Sequence, residues 1–219
     1  MPVSKGSDTI TTYFSIPKDG DSRQGLIATK KKRGEDVIIE NYRTIEGYLI
    51  DIKMEDGEYE GNPSYKIRFH FANQDFTATD ILQIGRYSIV SRDVLNSLMT
   101  VEKIGWVRLF PFISSTDIKG NPLPGGKTYT HCSVRHITDI NHLHSDMPKL
   151  TKKFKDEIPA VVSQTVGKKV VIDDTERNEF FDALVPILCE RLIHRKGNGY
   201  SAKPADAYVP EDDATEVPF

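Results

Sequence analysis

The chain has 219 residues, 38% hydrophobic and 28% charged, with a formal net charge of −3, which suits one soluble globular domain with extensions, or two small ones. No apolar run approaches the roughly 18 residues of a membrane span, and the opening "MPVSKGSDTITTYF" has no apolar core of the signal-peptide kind, so no membrane partner is expected. Two cysteines far apart, Cys132 and Cys189, make no disulfide framework, and a reducing cytoplasm is the expected setting.

Residues 1–36 are polar and glycine-containing, with a basic run at Lys30-Lys31-Lys32-Arg33. They read as a partly ordered N-terminal arm in which "ITTYFSI" can pair as an extra strand. From 37 to 140 the pattern is β-rich. "TIEGYLIDIKM" is enriched in β-branched and aromatic residues and runs into the turn-like "EDGEYEGNP". "SYKIRFHFANQ" alternates, with Tyr65, Ile67, Phe69 and Phe71 on one face and Lys66, Arg68 and His70 on the other. A weaker strand falls within "DFTATDILQIGRYSIV". "RDVLNSLMTVEKI" predicts a helix capped by Ser91, with Val94, Leu95, Leu98 and Val101 on one side. After Gly105 come two more strands, "WVRLFPFI" and "KTYTHCSVRHI", joined by the turn-rich "SSTDIKGNPLPGG".

Strand, loop, strand, further strand, helix, strand, long loop, strand is the element order of an OB-fold: a five-stranded Greek-key barrel with a helix between its third and fourth strands. The expected class is therefore mainly β with helices, an irregular β-sandwich being the competing architecture. Residues 141–200 read as a helical extension. "TERNEFFDALVPILCERLIHRK" sets Phe181, Leu184, Leu188 and Leu192 on one stripe, with Asp174 or Thr175 as its cap and Pro186 as an expected kink. Residues 201–219 are a linker and an acidic tail.

Most catalytic chemistry is missing. "NPLPGGKT" ends like a phosphate-binding loop at Gly126-Lys127-Thr128, yet Asn121 stands where the first glycine belongs and strand-like sequence follows where a helix N-terminus is needed. His131, Cys132, His136, His142 and His144 tempt a metal-site reading. On a strand, however, His131 and Cys132 point to opposite faces, and zinc needs four convergent ligands. No nucleophile–base signature appears. No metal, no cofactor and no enzymatic activity are expected.

One face carries the positive signal. With Val107, Leu109 and Ile113 directed inward, Trp106, Arg108, Phe110 and Phe112 point out. On the next strand Cys132 and Val134 go inward, and Tyr129, His131, Ser133 and Arg135 go outward. Lys66, Arg68 and His70 add cations from a neighbouring strand. Cations neutralise phosphates and flat rings stack on bases, neither contact reading sequence. The expected DNA-binding set is Lys66, Arg68, Trp106, Arg108, Phe110, Tyr129 and Arg135. The competing use of the same rings is packing beneath the amphipathic C-terminal helix.

The chain closes on "EDDATEVPF". From Asp206 to Phe219 there are five acidic residues and no Lys or Arg, so the rest holds 29 basic against 27 acidic residues. An acidic tail thus follows a mildly cationic body. That tip, ending in Pro-Phe, resembles the C-terminus of bacterial and phage single-stranded DNA-binding proteins. The resemblance covers about nine residues, with Val217 where isoleucine is common and Ala214-Thr215 interrupting the acidic run. It implies an OB-fold that coats and protects single-stranded DNA in replication, recombination and repair. It also implies a tail whose Asp212, Asp213, Glu216, Pro218 and Phe219 recruit partner proteins, in a cytoplasm that is the host's if the protein is phage-encoded. The layout leaves room for a homo-oligomer. The competing classes are a non-enzymatic protein-interaction or assembly module and an RNA-binding OB protein.

Overall fold

The computed structural model describes residues 10–17, 19–33, 36–116, 122–138, 147–166 and 169–195, with the backbone alone at 30–33, 36, 37, 166 and 169. Along them run β1 (Ile10–Ser15), β2 (Ile27–Arg33), β3 (Asp36–Tyr42), β4 (Ile45–Tyr59), β5 (Asn62–Ala72), β6 (Ala78–Gly85), α1 (Ile89–Leu98), β7 (Trp106–Ser114), β8 (Tyr129–Ile137), β9 (Val162–Val166), β10 (Lys169–Asp173) and α2 (Thr175–Arg191). The protein is mainly β. Eight strands form one curled sheet in the order β3-β2-β1-β6-β5-β4-β7-β8, and β9 and β10 form a separate two-stranded ribbon.

The sheet has eight strands where the sequence reading expects five. "ITTYFS" does pair as an extra strand, parallel to β6 from Ile10↔Ala78 to Ser15↔Gln83. The basic run at 30–33 lies in β2, paired along β3 from Lys30↔Ile39 to Arg33↔Asp36. An open edge on β6 would leave a row of unpaired backbone groups, and β1 satisfies them.

Both helices cover one face. Ile45, Leu49, Ile52, Ile67, Phe69, Phe71, Leu82, Val107, Leu109, Cys132 and Val134 from the sheet pack with Val94, Leu95 and Leu98 of α1 and Phe181, Leu184 and Leu188 of α2. A bulge between Leu49 and Asp51 on β4 makes this possible. Strict alternation would send Leu49 and Ile52 to opposite faces; one extra residue resets the parity and both reach the helices. Tyr48 and Ile50 then face the other side.

The α1 helix begins earlier than its sequence suggests. Ser88, not Ser91, is the cap and accepts from the Ser91 N–H at 3.2 Å, while the Ser91 hydroxyl donates to the Arg86 carbonyl at 2.6 Å. The α2 stripe is buried as its spacing predicts, through Leu192. Residues 141–200 also contain the β9–β10 ribbon, which the sequence reading assigned to the helical extension. The β-branched runs at Val161-Val162 and Val170-Val171-Ile172 carry its local strand signal.

Candidate nucleic-acid interface

Register fixes which side chains share the face opposite the helices. Arg108 sits across from Arg135, Phe110 from Ser133, Phe112 from His131 and Ser114 from Tyr129. Across the other edge of β7, on β4, Glu46 faces Arg108 and Tyr48 faces Trp106. The bulge carries the same face onto Asp51, Lys53 and Glu55, opposite His70, Arg68 and Lys66. All seven residues expected to contact DNA therefore belong to one face, and the C-terminal helix is on the other.

They do not form one continuous open surface. Trp106 is only 8% exposed, in a second cluster with Tyr48, Ile50, Ala72 and Met147, with Phe76 and Ile137 packed against it. Tyr48 stacks on Phe76 at 5.3 Å and meets Trp106 edge-on at 5.2 Å, and His194, just past α2, closes on Tyr48 at 4.7 Å. The expectation that Trp106 offers a stacking ring is thus corrected: its ring stabilises the second cluster. His70, expected among the outward cations, is buried as well.

The cluster divides the face in two. Lys66 and Arg68 lie beside Lys53 and Glu55; Arg108 lies beside Glu46, seven residues back along β4, roughly 20 Å at strand rise. In the first patch Arg68 bonds Glu55 at 2.7 Å and Gln83 at 2.8 Å, and sits 5.9 Å from the centre of the Tyr13 ring. Tyr13 is brought in by β1, and "ITTYFS", which does not alternate, carries no local signal for its place on this face. The acidic neighbours were missed too, and "IEGYLIDIKMED" held the signal: Glu46 and Glu55 fall on the outward parity once the bulge is allowed for.

The second patch, at the β7–β8 end, is richer in rings. Phe110 is 41% and Phe112 38% exposed. His131 stacks on Phe112 at 5.8 Å. With Gln24, Leu26, Arg43, Pro111 and Ile113 the two phenylalanines line a cleft of about 240 Å³. Gly25 permits its floor, for a Cβ there would sit 2.9 Å from Ile113 Cγ1. Ile113, expected in the core, is 49% exposed and lines this cleft instead. Arg43 is exposed, Tyr129 half-buried and Arg135 exposed. Arg135 donates to the Met147 carbonyl at 2.9 Å, which fixes its stem, and Arg108 is bonded to Glu46 through Nε.

His131 is held from behind. Its Nδ1 lies 2.9 Å from the carboxylate of Asp93 on α1, which also accepts the Cys132 N–H at 3.1 Å and pairs with Lys152. Burial alone would raise the Asp93 pKa; the hydrogen bonds from His131 and Lys152 outweigh it and hold the carboxyl below its usual range. Cys132 is driven far up by burial and by the Asp93 charge, so it stays a neutral thiol. Gly126-Lys127-Thr128 runs directly into β8, giving phosphate no helix N-terminus. Among the described residues no three His, Cys, Asp or Glu converge as metal ligands, and no helix is long and apolar enough to cross a membrane. The tail residues Asp212, Asp213, Glu216, Pro218 and Phe219, like His142 and His144, lie outside the described residues. Comparison with protein-family models, curated proteins and solved structures gives no match.

Proposed function

We propose that the chain binds single-stranded DNA without sequence preference, protects it during replication or recombination, and recruits partner enzymes through its acidic Pro-Phe tip. The observation that carries this reading is the β7–β8 end of the open face, where exposed Phe110 and Phe112 stand among Arg43, Arg108 and Arg135. Rings for stacking and cations for phosphate, side by side on a sheet, are what a sequence-tolerant single-strand site needs. Tyr129 extends this patch, and Lys66 and Arg68 form a second one on the far side of the buried cluster that holds Trp106.

The topology of the central strands is in keeping. The segment β4-β5-β6-α1-β7-β8 has five strands with a helix between the third and fourth, as an OB-fold does. The ring is left open between β6 and β8, and β1 takes the free edge of β6.

A fluorescence titration with oligo-dT over a range of salt tests the reading. Counterion release predicts that log affinity falls with log salt at about −0.7 per phosphate neutralised. Oligo-dT left unbound by micromolar protein at low salt overturns it. Competition with matched RNA separates the two nucleic acids.

Glu46 and Glu55 beside the two arginines favour a second reading, a protein-interaction module whose mixed-sign face meets another polypeptide. It predicts no salt-dependent DNA affinity and a stoichiometric protein complex on purification.

A further inference from the structure

The β9–β10 ribbon stands apart from the main sheet, and no strand among the described residues pairs with either of its outer edges. The centre of β10 is apolar and exposed: Val170 is 65%, Val171 51% and Ile172 67% exposed, with Val162 of β9 at 48%. A two-stranded ribbon alone is marginal in water, and a flat β-branched edge is a template for another strand. We propose that β10 pairs antiparallel with β10 of a second copy of this chain, about a two-fold axis through Val171, to give a four-stranded sheet β9-β10-β10-β9.

The sequence of β10, Lys169-Val170-Val171-Ile172-Asp173, is self-complementary in that register alone. Val170 falls opposite Ile172 of the second copy, and the lysine at 169 opposite its Asp173, on both sides of the axis. In-register parallel pairing would set lysine against lysine and aspartate against aspartate, which opposes association. Moving the axis to residue 170 sets Val171 against the lysine at 169, and moving it to residue 172 sets Val171 against Asp173. Only the Val171 axis matches apolar to apolar and charge to opposite charge. A two-fold contact of this kind closes on itself, so it yields a dimer instead of a filament.

Sedimentation velocity on the full chain, without nucleic acid, tests this independently of any DNA binding. At about 100 μM, roughly four-fifths of the chains are paired by a contact with a Kd of ~10 μM, and the weight-average mass should approach that of a dimer. Val171→Lys sets like charges on the axis and should return the chain to monomer mass with its circular dichroism unchanged. In the native background Val171→Cys should cross-link to itself on oxidation with diamide, since directly opposed antiparallel residues fall within disulfide reach. Val170→Cys, which faces Ile172, should not, and native Cys132 and Cys189 are buried. Monomer mass for the native chain overturns the proposal and leaves the edge to a strand of a different protein. A dimer untouched by Val171→Lys, or Val170→Cys cross-linking as readily as Val171→Cys, overturns it as well.

Discussion

Arg108 and Glu46 sit directly opposite each other on β7 and β4, and the Glu46 carboxylate accepts a hydrogen bond from the Arg108 Nε–H. A half-exposed cation in the proposed DNA path is therefore already neutralised in the free protein. Any phosphate that reaches Arg108 competes with Glu46. Exchanging Glu46→Gln keeps a hydrogen-bond acceptor and removes the competing charge. Oligo-dT affinity at low salt should rise, and the salt slope should steepen by about 0.7, the value of one further phosphate contact. An unchanged slope would place Arg108 off the path.

Phe110 and Trp106 separate stacking from support. Both lie on the same face of β7, yet Phe110 is 41% and Trp106 8% exposed. Phe110→Ala should cost about 1–3 kcal/mol in binding, the range for one base–ring stack, with little change in melting temperature. Trp106→Ala opens a cavity beside Tyr48 and Met147 and should cost about 3–5 kcal/mol in stability. The check is a melt and an oligo-dT titration on each variant. A Phe110→Ala protein that melts early but binds normally would exchange the two roles.

Those two residues also mark how far the sequence can be read. Alternation on β7 and β8 gave the correct shared face, because strand parity is local and strongly enforced by a buried side. Exposure is a different matter. Met147, Phe76 and His194, which cover the Trp106 region, arrive from distant points of the chain, and no local pattern announces where they come to rest. The bulge at Leu49–Asp51 is similar: one extra residue changes every parity beyond it, and "TIEGYLIDIKM" reads as a regular strand. The core faces of α1, α2 and β5 were legible since 3.6- and 2-residue periods are read within one element. The parallel partner of β1 was not, since parallel pairing depends on a free edge created elsewhere.

Removing residues 211–219 probes the tail. Four of the five acids counted from Asp206 to Phe219 (Glu211, Asp212, Asp213 and Glu216) leave with it, so a like-charged competitor for the cationic face is lost. Oligo-dT binding should stay equal or tighten, most visibly at low salt, while pull-down of replication partners is lost. Weaker DNA binding after truncation would remove the competition from the account, and partner capture that survives would remove recruitment by Phe219.

His136 gives the fold a pH dependence of definite sign. Its buried imidazole accepts the Gly105 N–H through Nε2 at 3.1 Å, and Gly105 has no room for a Cβ, which would lie 2.3 Å from the Thr138 carbonyl oxygen. Burial lowers the His136 pKa below its usual 6.5, opposed in part by its bond to the Lys103 carbonyl. The unfolded chain therefore takes up this proton first. Stability contributed by the neutral ring is complete above about pH 6.5 and is lost as pH falls from there toward the lowered folded value. Protonation also strips the Gly105 N–H of its acceptor, a loss of about 1–3 kcal/mol for a buried group. Asp93 acts in a separate and more acidic window: its folded pKa lies below the ordinary 3.8, so its stabilisation is present above that value and is lost only as pH falls beneath it. Thermal melts from pH 8 to pH 5 should show a falling melting temperature below neutrality. His136→Gln, whose amide oxygen can accept from Gly105 without titrating, should flatten that fall. An equal fall in both proteins would assign the titration to another histidine.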